Sequence, residues 1–208
     1  MGRKWYAVSV GRQVGVFRDW DEVRSSTRRF PRAAYRSFRS EGEARAWLAE
    51  TAAPPPEDGL DVYSDGTWDP ATGAMAYGAC YELEAGQWME LCGGVEAADA
   101  DASSSLAELH GALAAARHAP PVRLRLHVDN DAVRNWASGT WGVRNAAHRP
   151  LVEELRRLLR AHRSVVLPVD AHAGVPGNER ADRLAARGRG RPAPAGYAAA
   201  SPSPTGPH

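Results

Sequence analysis

Residues 170–185, DAHAGVPGNERADRLA, put His172 in a Gly-rich turn, follow it with a Pro-Gly pair, and set Asp182 on the segment that comes next. Gly174, Pro176 and Gly177 punctuate the turn, and a helix is expected to start near Gly177 or Asn178. Just before it, SVVLPVDAH (164–172) is a short apolar run and reads as a buried strand. A strand, a tight turn and a helix carrying an acid in its first turns form the kind of junction from which α/β sheets build sites. Taken alone, the stretch could be no more than a loop entering a helix, so the rest of the chain has to decide.

Working outward, the same kind of junction recurs. LDVYSDG (60–66) is a strand that ends at Asp65 and Gly66. AMAYGACYELE (74–84) and QWMELCGGV (87–95) follow as two more strands, which implies an antiparallel meander. Ser103 to Ser105 then start a helix with an apolar stripe at Leu106, Leu109 and Leu113, and Glu108 lies one turn into it. VRLRLHVDN (122–130) alternates at Val122, Leu124, Leu126 and Val128 and ends at Asp129. Helices are expected over about 130–137 and 147–161. The order β-β-β-α-β-α-β-α predicts an α/β fold, a mixed five-stranded sheet flanked by helices.

A smaller module precedes it. KWYAVSVG (4–11) alternates as a strand, GRQVG (11–15) turns, and Val16-Phe17 opens a return strand. Asp19 with Glu22 resembles a capping box for a helix over about 20–28, AAYRSF (33–38) is a third strand, and Ser40 with Glu43 caps a helix to about Leu48. The expectation is a small α/β sheet-plus-two-helix domain at 1–50, with both helices on one face. TAAPPPEDG (51–59) reads as a stiff Pro-rich linker, 60–187 as the larger domain, and 188–208, with five Pro and four Gly, as a disordered tail.

The formal net charge of +1 conceals an asymmetry. Residues 1–50 hold eleven Lys/Arg against six Asp/Glu, whereas 51–208 hold fifteen against nineteen. A basic small module beside a mildly acidic larger one points to an anionic partner for the first. Cys80 and Cys92 fall inside expected strands and are read as reduced, buried positions rather than a disulfide or metal site. Nothing approaches the roughly 18-residue apolar run of a membrane span, and the N-terminus lacks an apolar signal-peptide core, so a cytoplasmic protein is expected.

Asp65 and Asp129 end strands, while Glu108 and Asp182 lie near helix starts. If one sheet edge gathers them, four carboxylates repel strongly. A divalent cation relieves this, and hard oxygen ligands suit Mg²⁺ or Mn²⁺, two ions lying about 3.5–4 Å apart. Singly, each acid is as well explained as a helix cap or a solvated charge; the joint pattern carries the reading.

VYSDGT, SSSLAELHGALAA, LHVDND and AHAGVPGNERADRLA resemble, in order and spacing, the signature segments of type 1 ribonuclease H over about residues 60–187. The resemblance implies a ribonuclease H-like fold and an endonuclease that hydrolyses the RNA strand of RNA/DNA hybrids by two-metal-ion catalysis, leaving 5′-phosphomonoesters. It implies Asp65, Glu108, Asp129 and Asp182 as metal ligands, two Mg²⁺ ions for which Mn²⁺ can substitute, and His172 on a loop that assists proton movement and product release. Asn178 and Glu179 would pin that loop, with Asn178 near the nucleic acid. Ser104 and Ser105 stand where relatives carry paired Asn at the minor groove, and Asn130 stands where a Ser is usual. Asp131 adds a further acid, and a Lys-rich protrusion used by some bacterial relatives is missing.

Residues 4–48 resemble the hybrid-binding, viroplasmin-like domain found at the N-terminus of eukaryotic ribonuclease H, through the turn GR..GVF..W and the segment FPRAAYRSF. By that resemblance Tyr6, Trp20 and Tyr35 would contact the DNA strand and Arg36 a phosphate, aromatic faces stacking while cations neutralise charge. Ser37 replaces a second basic residue there. The expected partner is RNA/DNA hybrid, with double-stranded RNA as a second candidate, no membrane and no obligate protein partner, the chain acting as a monomer. One competing reading is a non-catalytic hybrid or double-stranded RNA binding protein on a ribonuclease H scaffold. Another is a different nuclease or strand-transfer enzyme on that fold.

Overall fold

A computed structural model describes residues 4–30, 33–52, 57–96, 101–170 and 174–190. The chain separates into two compact units, the first ending at Glu57 but also taking in Ser138–Gly142, the second comprising the remainder from Asp58 on.

In the first unit, β1 (Trp5–Val10) pairs antiparallel with both β2 (Gly15–Phe17) and β3 (Ala34–Phe38), giving the order β2-β1-β3. Helix α1 (Trp20–Thr27) starts at Asp19, whose carboxylate accepts from the Asp21 N–H at 2.9 Å. Helix α2 (Glu41–Ala52) starts in a complete capping box: Ser40 Oγ accepts from Glu43 N, and Glu43 Oε2 accepts from Ser40 N. It runs past Leu48 to Ala52, so the Pro-rich stretch begins as helix. The two helices do not share a face. Ala44 and Trp47 of α2 pack on Ala7, Trp5 and Phe38, whereas Trp20 of α1 meets Tyr6 and Tyr35. Tyr6 and Ala7 are neighbours on one strand and point to opposite sides.

In the second unit, β4 (Leu60–Trp68), β5 (Met75–Glu84) and β6 (Gln87–Val95) form the antiparallel meander, and β7 (Leu124–Val128) and β8 (Val165–Pro168) add in parallel. The order is β6-β5-β4-β7-β8. Helices α3 (Ser104–His118), α4 (Asp131–Ala137), α5 (His148–Ala161) and α6 (Pro176–Gly188) complete it. Val62, Leu109, Leu113, Leu126 and Val128 build the main core with Val152 and Leu155 of α5. On the other face of β4, Tyr63 and Cys80 pack with Ala181 and Leu184 of α6. Two strand expectations shift. Val122 lies outside β7 and is exposed, and β8 is an edge strand with only partly buried side chains. Both cysteines are free thiols, and burial pushes the Cys80 thiol up to about 12. Among the described residues no helix is long and apolar enough to cross a membrane.

Candidate active site

Asp65 lies inside β4, which runs on to Trp68 against β5, so the expectation that its strand ends there is corrected. Asp65 stands just past Tyr63, the last β4 residue paired with the parallel strand β7, and Asp129 follows β7 directly. Glu108 arrives from α3, which is started by Ser103 accepting from Leu106 N at 3.2 Å. Gly66 makes the approach possible. A Cβ there would stand 2.2 Å from the Glu108 backbone nitrogen, so α3 rests on bare β4 backbone at the point where Glu108 leaves the helix. One ligand oxygen from each of Asp65, Glu108 and Asp129 falls within 4.8 Å of the others.

The cluster is electrostatically strained. Burial raises the Asp65 carboxyl to about 6, against hydrogen bonds from Glu108 and the Gly66 N–H, with Asp129 and Asp182 adding repulsion. Burial raises Glu108 well above the ordinary range, and Asp65 and Asp129 raise it further. Glu108 is 6% exposed, and its Oε2 has no hydrogen-bond partner. A buried, unpartnered carboxylate oxygen beside two more carboxylates is an oxygen-only donor set, which fits a hard divalent cation. Asp182, on the second turn of α6, lies outside the group of three within 4.8 Å, and its charge adds to the repulsion that raises Asp65.

Ser104 and Ser105 begin α3, four and three residues before Glu108 and on its side of the helix. His172 lies outside the described residues. Asn178 does not reach an accessible surface: it is 5% exposed inside the start of α6, with Oδ1 unpartnered, so the expectation that it contacts nucleic acid is corrected. In the first unit, Trp20 meets Tyr6 and Tyr35 at 5.5 Å each and remains 44% exposed, so the trio is a surface platform rather than core. Arg36 does not join it. The pleat turns its side chain to the opposite face of β3 from Tyr35, and its guanidinium lies over Phe38 at 5.4 Å.

Asp61, Tyr63, Arg125 and His127, which the sequence does not single out, underlie the carboxylates, and their only sequence signal is period-two spacing in two strands whose pairing is not local. Gly66 and Gly177, expected as turn residues, instead seat the two helices.

Residues 57–189 match the family described as RNase H. The chain belongs to the ribonuclease H family. Residues 4–48 match the ribonuclease H1 N-terminal domain. Human ribonuclease H1 is 42% identical over 55 residues, covering 26% of this chain and 19% of that protein. The ribonuclease H of Gluconobacter oxydans is 33% identical over 144 residues, covering 62% of this chain and 91% of its own length. The chain thus spans less than a fifth of the human relative but nine-tenths of the bacterial one. Among solved ribonuclease H folds, the RNase H1 of Halobacterium salinarum superposes with a TM-score of 0.53 at 23% identity, over 63% of this chain and 97% of that one. An N-terminal RNase H domain from Mycobacterium tuberculosis gives 0.51 at 22% identity, over 62% and 93%. At these identities the superpositions speak to fold.

Proposed function

We propose that this chain is an endonuclease that hydrolyses the RNA strand of RNA/DNA hybrids, the larger unit carrying the chemistry and the smaller one gripping the duplex. The observation that carries it is the convergence of Asp65, Glu108 and Asp129 within 4.8 Å, with the charge of Asp182 acting on Asp65. These four carboxylates would hold two Mg²⁺ ions, or Mn²⁺ in their place. Such ions supply an activated water and charge stabilisation at the leaving 3′-oxygen. The chain's own residues position the rest. Ser104 and Ser105 present hydroxyls one turn before Glu108, suited to a sugar or base edge beside the cleaved strand. His172 is assigned the movement of a proton at the phosphate. Tyr6, Trp20 and Tyr35 offer a stacking platform within a basic module. The Pro-rich stretch after α2 serves as the tether between the two domains.

An end-labelled hybrid incubated with the full chain and Mg²⁺ tests this. We expect cleavage of the RNA strand alone, and Asp129→Asn to reduce it more than about a hundredfold, since even outer partners of metal sites are worth 10–100-fold. Binding without cleavage would return the chain to the scaffold reading.

A further inference from the structure

Beneath the carboxylates, β4 and β7 carry a pattern that the proposed chemistry does not use. Their parallel register pairs Asp61 with Arg125 and Tyr63 with His127; two residues on, the same face holds Asp65 and Asp129. The lower rung is an ion pair, the middle one a ring stack, and the top one the carboxylates. Arg125 Nε donates to Asp61 at 2.9 Å, and His127 Nε2 lies 2.7 Å from the same Asp61 oxygen, so the two lower rungs are tied together. The Tyr63 and His127 rings stack at 4.6 Å and 13°.

The start of α6 rests on the Tyr63 ring. A Cβ at Gly177 would stand 2.2 Å from the ring's Cδ2 and 2.3 Å from Cε2. The Cys80 thiol donates to the Gly177 carbonyl at 3.3 Å. A second contact lies further along, where Gly78 meets Ala181 O and Ala185 N. With the helix held at two points, a change at the first tilts it instead of releasing it. Asp182 is five residues beyond Gly177, roughly 7.5 Å along the axis, so it moves with the tilt.

We propose that Tyr63 and Gly177 are a positioning pair: the ring, held in place by His127 and Asp61, fixes how closely α6 approaches and hence where Asp182 stands relative to Asp65. This rests on the carboxylate cluster being a cation site. The test is calorimetric titration of Mn²⁺ alone into the full chain, with the melting temperature of each variant in EDTA. Gly177→Ala, which wedges a methyl against the ring, and Tyr63→Leu, which removes the seat, should each weaken Mn²⁺ binding by roughly tenfold. Tyr63→Phe keeps the ring and should retain the affinity. The double variant Tyr63→Leu/Gly177→Ala gives the methyl room and should bind more tightly than either single variant. General packing damage would instead lower the melting temperatures in EDTA while leaving the folded variants with wild-type Mn²⁺ affinity. Additive losses, or wild-type Mn²⁺ affinity in both single variants, overturn the proposal. If the wild type takes up no Mn²⁺, or Asp129→Asn takes up as much, the cation reading itself fails and this inference with it.

Discussion

Asp65 and Glu108 are held in a state that ordinary carboxylates avoid. Burial and the neighbouring carboxylates push Glu108 well above the ordinary range, and burial with repulsion from Asp129 and Asp182 raises Asp65 despite its hydrogen bonds to Glu108 and the Gly66 N–H. The folded Asp65 carboxyl takes up a proton near pH 6, against 3.8 for the ordinary side chain. Between those limits the folded chain binds more protons than the unfolded one, so cation-free stability falls as pH rises through that window. Below about pH 4 both states are protonated and the penalty vanishes. Asp65→Asn keeps an oxygen for the Gly66 N–H, a 2.8 Å contact, and removes the charge. In EDTA at pH 8 it should melt above the wild type, by about 2–4 °C for each kcal/mol relieved, with the gap closing toward pH 4. Thermal melts across pH check this, and a gap that ignores pH would refute it. Saturating Mg²⁺ should narrow the gap at pH 8, because bound cations neutralise the charge that the substitution removes.

Helix and strand approach is governed by missing side chains. At Gly78 in β5, a Cβ would lie 2.2 Å from Ala181 O and 2.4 Å from Ala185 N, so Gly78→Ala forces α6 off the sheet. A cost of about 2–4 kcal/mol in urea denaturation is expected. Gly42, in α2, has nothing within 4 Å of such a Cβ, and Gly42→Ala should raise stability by up to about 1 kcal/mol. Equal effects at the two positions would refute this account of the α6 contact. The contrast also marks what was legible in the sequence. Leu124, Leu126 and Val128 announce β7 by alternation, and Ser40 with Glu43 announces α2 by a local hydrogen-bond pair. The placement of Asp129 just past β7 and of Glu108 one turn into α3 was legible from local pattern; that Asp65 lies inside β4 rather than at its end was not, because β4 continues as a partner of β5. The face on which each helix packs was not, because Tyr6 and Ala7 differ only in what lies across from them. Nor was the burial of Asn178, or the ladder of Asp61, Tyr63, Arg125 and His127. The ladder depends on a parallel register between strands some sixty residues apart, and the burial of Asn178 on how α6 packs; no local pattern encodes either.

At the scale of the molecule, a basic unit with an exposed aromatic platform is tethered to an acidic unit whose cluster calls for cations. On the proposed reading these charges divide the labour. Phosphate neutralisation falls to the first unit, and charge at the reacting phosphorus to the ions held by the second. Tethering a second binding surface raises the effective concentration of duplex at the catalytic edge without altering the chemistry there. The full chain should therefore bind a hybrid more tightly than residues 60–187 alone, by roughly tenfold or more at moderate salt, and should make more cuts per encounter. Raising the salt should erode the advantage, because cation–phosphate contacts weaken as counterion release loses its drive. Trp20→Ala in the full chain should recover part of the truncated fragment's weakness while leaving the divalent-ion affinity unchanged, since Trp20 belongs to the platform and not to the cluster. Fluorescence anisotropy with a labelled hybrid, repeated across salt concentrations, measures the binding effects, single-encounter cleavage of an end-labelled hybrid counts the cuts, and calorimetric titration of Mn²⁺ reads the ion affinity. Equal affinity of fragment and full chain would remove the gripping role from the N-terminal unit and leave the larger unit to find its substrate alone.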